Sequence, residues 1–309
     1  QDKGVDGFRF DMAEMVPVEF WSFLNSSIKQ KAPDAFLLAE VYQPDKYRDY
    51  LHKGKMDYLY DKVGFYDTLK AIMQGQGKVS DLVAIHEEIS DIAPHMLHFL
   101  ENHDEQRIAS PDFAGSAEKV KPALAVSALI SSSPTLLYFG QDVGEDGSEE
   151  TGFGDPTRTS IFDYVGVPAH QRFMNDGKFD GGQSTKAEID LHNFYERVMS
   201  IAASNPAIIG EYRSLHALNL GVENSAYSEQ QFIFTRVQGE HGFVVIANFS
   251  EKPTGQMEMT VPAGVMGVSS KTISLEPLLS HDGISLEKDD VNYKASLSLN
   301  GLETKVFAF

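Results

Sequence analysis

The sequence contains no cysteine, few basic residues and a single tryptophan. Without cysteine the chain cannot form disulfide bonds, thiolate zinc sites or a cysteine nucleophile, while its cellular compartment stays open. Lys and Arg total 26 against 45 Asp and Glu, a formal net charge of −19. Because this charge repels phosphate backbones and anionic membranes, we expect no nucleic-acid or membrane partner, although an acidic surface also serves solubility alone.

Long apolar runs are also missing. Since no stretch of about 18 apolar residues occurs, we expect no membrane-spanning helix. The first residues show no basic segment followed by an apolar one, so no signal peptide is visible. The length of 309 residues is that of a globular chain with one large domain and one small one. Localisation is unknown from the sequence, with a secreted or periplasmic place favoured over a cytoplasmic one.

Short apolar segments alternate with amphipathic helical patterns over the first two thirds of the chain. This alternation predicts a parallel sheet covered by helices. The predicted strands lie at residues 4–11, 35–42, 56–61, 95–102 and 134–140. A polar, glycine-rich stretch from Gly144 to Gly182 is too long for a simple connection, so we expect a functional loop there.

The hydrophobic period changes to two from about Leu215 onward. Five segments have the pattern of strands separated by turn residues, with no helix expected between them: "QFIFTRV", "GFVVIANF", "QMEMTV", "TISLEPLL" and "TKVFAF". We therefore predict two domains, a β/α domain over residues 1–213 and an antiparallel β domain over residues 214–309.

Three acidic residues lie where apolar strands give way to polar sequence: Asp11, Glu40 and Asp104. In parallel β/α folds the catalytic groups gather at the carboxyl ends of the strands. We therefore expect these three carboxylates to converge on one pocket.

A pair of carboxylates about 5 Å apart can act as nucleophile and proton donor in retaining glycoside hydrolysis. The nucleophile must stay ionised, and Arg9 lies two residues before Asp11, on the same face of the strand. The donor must hold a proton near neutral pH, which suits Glu40 after the apolar run "FLLA". A structural ion pair is the alternative for Arg9 and Asp11, but three acids at three strand ends favour catalysis.

Four short motifs resemble, in order and spacing, those of the α-amylase family of glycoside hydrolases: "GFRFD", "LLAEVY", "FLENHD" and "SSPTLLYFGQDVG". The resemblance implies that Asp11 is the nucleophile and Glu40 the general acid/base. Asp104 would be a third carboxylate that holds sugar hydroxyls and stabilises the transition state. We assign substrate contacts to four further residues: Arg9, His103, Asn102 and Tyr42. For Tyr42, packing is an equal alternative to stacking on a sugar ring.

The resemblance covers nearly the whole chain and implies a (β/α)8 TIM barrel followed by an antiparallel β-sandwich. Asp11 then belongs to the fourth barrel strand, so this sequence would hold only about strands four to eight. We expect a fragment of a longer protein whose first three strands lie outside the sequence. The open edges of such a half barrel need a partner, either the missing N-terminal half or a second copy.

The motifs depart from the family pattern in two places. Glu14 and Met15 stand where many relatives have a Lys-His pair that binds the sugar on the leaving-group side, so substrate preference and product length can differ. Asp142 replaces a more usual Glu. The chemistry requires no cofactor, and metal ligands in this chain are unknown. A structural calcium ion is an expectation for the full-length protein only.

Three functions follow from these residues. The leading one is a retaining hydrolase that cuts α-1,4-linked glucans, such as starch and maltodextrins, through a covalent glycosyl-enzyme. The second is an α-glucosidase or α-glucanotransferase with the same catalytic acids and a different acceptor. The third is an inactive fragment that at most binds an α-glucan oligosaccharide or polysaccharide.

Overall fold

The computed structural model describes residues 4–147, 157–159, 166–267 and 270–309. The chain forms two compact units. The first comprises the chain up to Asp67 together with Ile85–Phe99 and Ser133–Leu136. The second comprises Thr68–Ala84, Leu100–Ser132 and the chain from Leu137 onward. None of the helices in the described ranges is both long enough and apolar enough to cross a membrane.

A parallel sheet of five strands forms the centre of the first unit. Its strands are β1 (Gly7–Phe10), β2 (Phe36–Ala39), β3 (Tyr58–Tyr60), β4 (Met96–Phe99) and β5 (Thr135–Leu136). Each strand pairs in parallel with the next one along the chain. This sequential order is that of a (β/α)8 barrel, whereas a doubly wound sheet reverses its strand order.

All five predicted parallel strands are present, but β5 is much shorter than residues 134–140. The chain turns directly after it. The backbone N–H of Tyr138 donates to the side chain of Gln141, and the backbone N–H of Gln141 donates back to the carbonyl oxygen of Tyr138. Because this turn uses those backbone groups locally, they are not available to the sheet.

The pairing of β1 with β2 depends on a glycine. Gly7 lies opposite Phe36, and a Cβ atom at Gly7 would come within 2.2 Å of the carbonyl oxygen of Phe36. Beside this pair, buried side chains from the sheet and from neighbouring helices form one apolar core, which includes Trp21, Tyr47 and Leu59. This core holds the first two strands in a fixed register.

Six of the described α-helices have seven residues or more, and three are shorter. Their bounds are α1 (Val18–Lys31), α2 (Tyr47–His52), α3 (Asp67–Met73), α4 (Val79–Glu88), α5 (Val120–Leu129), α6 (Pro168–Met174), α7 (Lys186–Ser204), α8 (His216–Asn219) and α9 (Ala263–Met266). The longest, α7, begins with a capping box in which Thr185 and Glu188 each accept a hydrogen bond from the other's backbone N–H.

An antiparallel sheet of eight strands lies in the second unit. Its strands are β6 (Glu211–Ser214), β7 (Gln231–Gln238), β8 (His241–Asn248), β9 (Met257–Pro262), β10 (Thr272–Pro277), β11 (Ile284–Asp289), β12 (Asn292–Leu297) and β13 (Thr304–Ala308). The strand order is β6-β7-β8-β13-β10-β11-β12-β9.

One strand joins the two halves of this sheet. The first residues of β10 pair with β11, and its last two residues pair with β13. Ile246 and Phe307 from one half share a buried core with Met259 and Tyr293 from the other half. Two sheet halves that enclose one core form a β-sandwich. The predicted fold class, part of a parallel barrel followed by an antiparallel β-sandwich, is confirmed.

The expectation that no helix separates the β strands is wrong. Helix α9 follows β9 directly and so lies between two of the five predicted strands, whereas α8 precedes the first of them. Each has four residues, about one turn, which is too short to show a helical period in the sequence. The predicted domain boundary between residues 213 and 214 stays a prediction.

Candidate active site

Strands β1 and β2 end side by side. Phe10 lies opposite Ala39, and the backbone N–H of Glu40 donates to the carbonyl oxygen of Phe10 at 3.0 Å. Asp11 and Glu40 are the next residues on the two strands. Because neighbouring strands lie about 4.8 Å apart, the backbones of the two residues leave the same edge of the sheet at about that spacing.

Arg9 contacts both carboxylates. Its Nη1 donates to Oδ1 of Asp11, and its Nη2 lies 3.2 Å from Oε2 of Glu40. Burial lowers the pKa of Arg9, but the hydrogen bonds to Asp11 and Tyr60 and the charge of Glu40 outweigh burial and raise the pKa above its ordinary value. The guanidinium is therefore a permanent cation beside two acids. The side chain of Asp11 is 73% exposed and that of Glu40 is 8% exposed, so solvent reaches mainly the first.

An aromatic pair on β3 and β4 supports this guanidinium. The Cζ atom of Arg9 lies 5.6 Å from the ring centroid of Tyr60, a distance at which a cation is attracted to the ring face. Tyr60 packs edge-on against Phe99, with 5.5 Å between ring centroids. Both aromatic side chains are buried. The position of Arg9 is thus set by strands other than its own.

Met12 has an unusual backbone conformation directly after Asp11. Its φ of 41° and ψ of 44° lie in the left-handed region, which is costly for a residue with a Cβ. The backbone N–H of Met12 donates to Oε2 of Glu40 at 2.8 Å. Oε2 therefore faces two donors, whereas no hydrogen bond from the described residues reaches Oε1. Backbone strain of this kind clusters at functional sites.

Glu14 forms a second contact between the loop after β1 and the loop after β2. Its Oε2 accepts a hydrogen bond from the backbone N–H of Tyr42 at 2.9 Å. Thus a carboxylate after β1 binds the loop after β2, while Glu40 after β2 binds the loop after β1. Glu14, where the sequence departs from the family pattern, therefore binds the backbone of the loop after β2.

The third predicted acid lies in the second unit. Asn102 is buried, and its Oδ1 accepts hydrogen bonds from the backbone N–H groups of Asp104 and Glu105, both at 2.8 Å. These bonds form a side-chain-closed turn, which is a usual role of Asn. Nε2 of His103 lies 3.2 Å from Oδ2 of Asp104. The turn therefore fixes the acid and the imidazole as one group.

Arg158 is a cation that the motifs do not predict. Its Nη2 donates to Oδ1 of Asp104 at 2.5 Å, and its Nε donates to the carbonyl oxygen of His103 at 3.1 Å. Arg158 lies in the stretch predicted as a functional loop, of which residues 148–156 and 160–165 lie outside the described residues. A single arginine 54 residues from its partner leaves no pattern in the sequence.

The structure gathers the predicted site residues in two groups: Arg9, Asp11 and Glu40 in the first unit, and Asn102, His103 and Asp104 in the second. Tyr42 is half-buried in the first unit. Its stacking on a sugar, like the substrate contacts of the other residues, stays a prediction.

Neither of these two groups of predicted site residues indicates a metal site. In the part of the chain that the structure describes, no three His, Asp or Glu side chains are gathered so that they could hold a metal ion. The calcium ion stays an expectation for the full-length protein.

Comparison with known proteins gives a family and two kinds of relative. The family model described as the α-amylase catalytic domain matches residues 1–202. The chain is 25% identical over 229 residues to a cyclomaltodextrinase from Bacillus sp, a match that covers 70% of this chain and 35% of that protein. It is 30% identical over 155 residues to a 4-α-glucanotransferase from Thermotoga maritima, covering 47% of this chain and 33% of that protein. The chain thus spans about a third of the length of these relatives.

A solved α-amylase structure from Anoxybacillus is similar in fold. It superposes with a TM-score of 0.70 at 19% identity, and the match covers 98% of this chain and 58% of that one. The family model spans all three predicted acids and the whole parallel sheet. From the matched motifs, the parallel sheet and this model we conclude that the chain belongs to the α-amylase family of glycoside hydrolases.

Proposed function

We propose that this chain carries the catalytic carboxylates of a retaining hydrolase of α-1,4-linked glucans, with Asp11 as nucleophile and Glu40 as general acid/base. The observation that carries the proposal is the contact of one guanidinium, that of Arg9, with both acids at the ends of neighbouring strands. The strand spacing of about 4.8 Å is close to the carboxylate separation of about 5–5.5 Å that retaining enzymes use.

The reaction takes two displacement steps. In the first, a carboxylate oxygen of Asp11 attacks the anomeric carbon while the bond to the leaving sugar oxygen breaks, and Glu40 gives that oxygen its proton. Asp11 then carries a glycosyl ester. In the second step Glu40 takes a proton from water, whose oxygen attacks the anomeric carbon and frees Asp11. Two inversions give net retention.

The two carboxylate oxygens of Glu40 suit different roles in this reaction, one as an anchor and the other as the proton carrier. Oε2 lies against Arg9 and accepts from the backbone N–H of Met12, so it is anchored. Oε1, which no described donor reaches, would carry the proton that is given to the leaving group. Asp104, with His103 beside it, would hold sugar hydroxyls. Arg9 offers positive charge to both catalytic acids, and this charge favours the ionised form of Asp11 and that of Glu40 once it has given up its proton in the first step.

Transfer to a sugar acceptor is the second candidate. The observation that favours it is the similarity to a 4-α-glucanotransferase at 30% identity. Hydrolysis and transfer share the first step and differ in the molecule that attacks the glycosyl ester. Oligosaccharides longer than the substrate would identify transfer.

The test is incubation of this chain with maltoheptaose, followed by proton NMR of the anomeric signals. We expect products that appear first as the α-anomer. Asp11→Asn should abolish them, and Glu40→Gln should slow them by about 10²–10⁴-fold. Asp6→Asn is the matched control, because Asp6 is an exposed carboxylate on the same approach to β1. A β-anomer first, or equal activity of Asp11→Asn, would overturn the proposal. No cleavage by a folded chain would favour the inactive fragment.

A further inference from the structure

The most deeply buried charged side chain in the described ranges stands outside the catalytic assignments above. Arg107 is 0% exposed, and its Nη1 donates to Oε2 of Glu101 at 3.0 Å and to the carbonyl oxygen of Phe139 at 2.7 Å. The guanidinium also lies 4.6 Å and 4.8 Å from the ring centroids of Tyr138 and Phe139. Burial raises the pKa of Glu101 despite this partner.

The Glu101–Arg107 pair closes the loop that bears the third predicted acid. Glu101 is the residue before Asn102, and Arg107 is the third residue after Asp104. The second oxygen of Glu101 accepts from the backbone N–H of Ile108 at 2.7 Å, so the carboxylate at the start of the loop binds the end of the loop through both oxygens. Within this loop, the side chain of Asn102 holds the turn at Asp104 and Glu105.

Arg107 also holds a second segment, residues 157–159, against this loop. Its backbone N–H donates to the carbonyl oxygen of Thr157 at 3.1 Å, and its Nε donates to Oγ1 of Thr159 at 2.5 Å. The hydroxyl of Tyr138 donates to the carbonyl oxygen of Thr159 at 2.7 Å. The segment is therefore attached on both sides of Arg158.

This attachment places the side chain of Arg158 beside Asp104. It donates to Asp104 and to the carbonyl oxygen of His103, as described above. A buried ion pair is weak evidence for stability, because desolvation offsets much of the attraction between the charges. Its use here is geometric, since one planar guanidinium with several donors binds Glu101 of the loop and Thr159 of the segment at once.

We propose that Arg107 is a positioning residue that sets Arg158 against Asp104 by binding the loop 101–107 and the segment 157–159 at once. Its relevance to catalysis rests on the function proposed above, because that proposal gives Asp104 its role. Arg107 itself touches no reacting atom. Its effect reaches the site through Thr159 and the loop backbone.

The experiment uses the whole chain labelled with ¹⁵N-arginine. The Nε–H signal of Arg158 is assigned by its loss in Arg158→Lys, and its rate of exchange with water is measured by NMR. In Arg107→Lys, which keeps the charge but loses the fork of donors, we expect exchange about tenfold faster. Thr159→Val removes only the Oγ1 acceptor at nearly constant volume, and we expect the same direction.

Arg236→Lys is the matched control. Arg236 is also buried in the second unit, where it donates to the carbonyl oxygens of Ile130 and Ile208 and contacts neither Arg158 nor Asp104. Its replacement should lower the melting temperature and leave the Arg158 signal unchanged.

An unchanged exchange rate in folded Arg107→Lys and Thr159→Val would overturn the proposal. So would an equal acceleration in Arg236→Lys, because it would indicate general loosening. If Arg107→Lys does not fold, Thr159→Val decides alone. The readout needs no substrate, so a chain that fails to cleave maltoheptaose would refute the proposed function and leave this result standing.

Discussion

The carboxylate of Glu229 binds Ser80 twice at the start of helix α4. The backbone N–H of Ser80 donates to Oε2 at 3.0 Å, and its hydroxyl donates to Oε1 at 2.8 Å. The carbonyl oxygen of Glu229 also accepts from the backbone N–H of Val79 at 3.1 Å. A distant part of the chain thus supplies the cap that satisfies the first donors of the helix.

Replacement of this cap should destabilise the second unit. We expect Glu229→Ala to lower the free energy of unfolding by about 1–2 kcal/mol, the usual cost of a lost helix cap. Chemical denaturation followed by circular dichroism measures the change. Glu223→Ala, an exposed carboxylate in a nearby turn, is the control. Equal stability of the two variants would show that the cap contributes nothing.

Acidification should also lower the stability of the fold around this cap. The hydroxyl of Tyr227 accepts from the backbone N–H of Ile233 and lies 2.7 Å from Nδ1 of His216. Nε2 of His216 lies 3.2 Å from Oε2 of Glu229. Burial lowers the pKa of His216. Burial favours a higher pKa for Glu229, but its bonds to Ser80 and His216 outweigh burial and lower that pKa.

The sign of the pH effect follows from both shifts. The folded chain binds fewer protons than the unfolded chain at His216 and at Glu229, so both groups lose stabilisation as the pH falls. The His216 contribution is fully present above its unfolded pKa of about 6.5 and declines below it. We expect His216→Gln to flatten the fall in the denaturation midpoint between about pH 7 and pH 5. The exposed His241→Gln should keep the wild-type slope.

Gly7→Ala should disturb the alignment of β1 and β2, the strands that precede Asp11 and Glu40. A Cβ at residue 7 would meet the carbonyl oxygen and Cβ of Phe36 at 2.2 Å and 2.7 Å. We expect a loss of about 1–3 kcal/mol, the usual cost of overpacking. Gly264→Ala is the matched control, because nothing lies within 4 Å of a Cβ there. If both variants unfold at the same denaturant concentration, the close approach of the strands is not required.

Glu14→Ala should loosen the loop after β2. Without the Glu14 carboxylate, the backbone N–H of Tyr42 loses its acceptor, and we expect its hydrogen exchange to be about tenfold faster. Hydrogen exchange followed by NMR measures the rate at Tyr42. Glu19→Ala removes an exposed carboxylate on α1 and should change nothing. A Tyr42 rate that is equal in both variants would contradict the assigned contact.

The sequence is sufficient to predict the elements whose apolar runs are continuous. The run "FLLA" gives β2, and the run "GFVVIANF" covers most of β8. Strands β11 and β12 lacked such a signal. In β11 only Leu286 is buried, and its Glu and Lys side chains lie in solvent. These strands form because neighbouring strands pair with them. Such pairing cannot be predicted from the hydrophobic pattern of the segment alone.

The residues of the candidate site also differ in whether the sequence predicts them. Asp11 and Glu40 are predictable because each directly follows an apolar strand. The left-handed backbone of Met12 was not predictable, since methionine has no preference for that conformation. Arg158 and Arg107 were not predictable either, because their partners are set by tertiary folding of a loop.

The only tryptophan of the chain packs beside β1. Nε1 of Trp21 donates to the carbonyl oxygen of Ala13 at 2.9 Å, and its ring lies 4.7 Å from that of Phe10. Trp21 belongs to the first unit, and the β-sandwich contains no tryptophan. Its intrinsic fluorescence is therefore an optical probe of the strand that carries Asp11, and it distinguishes melting of that unit from melting of the sandwich without any added label.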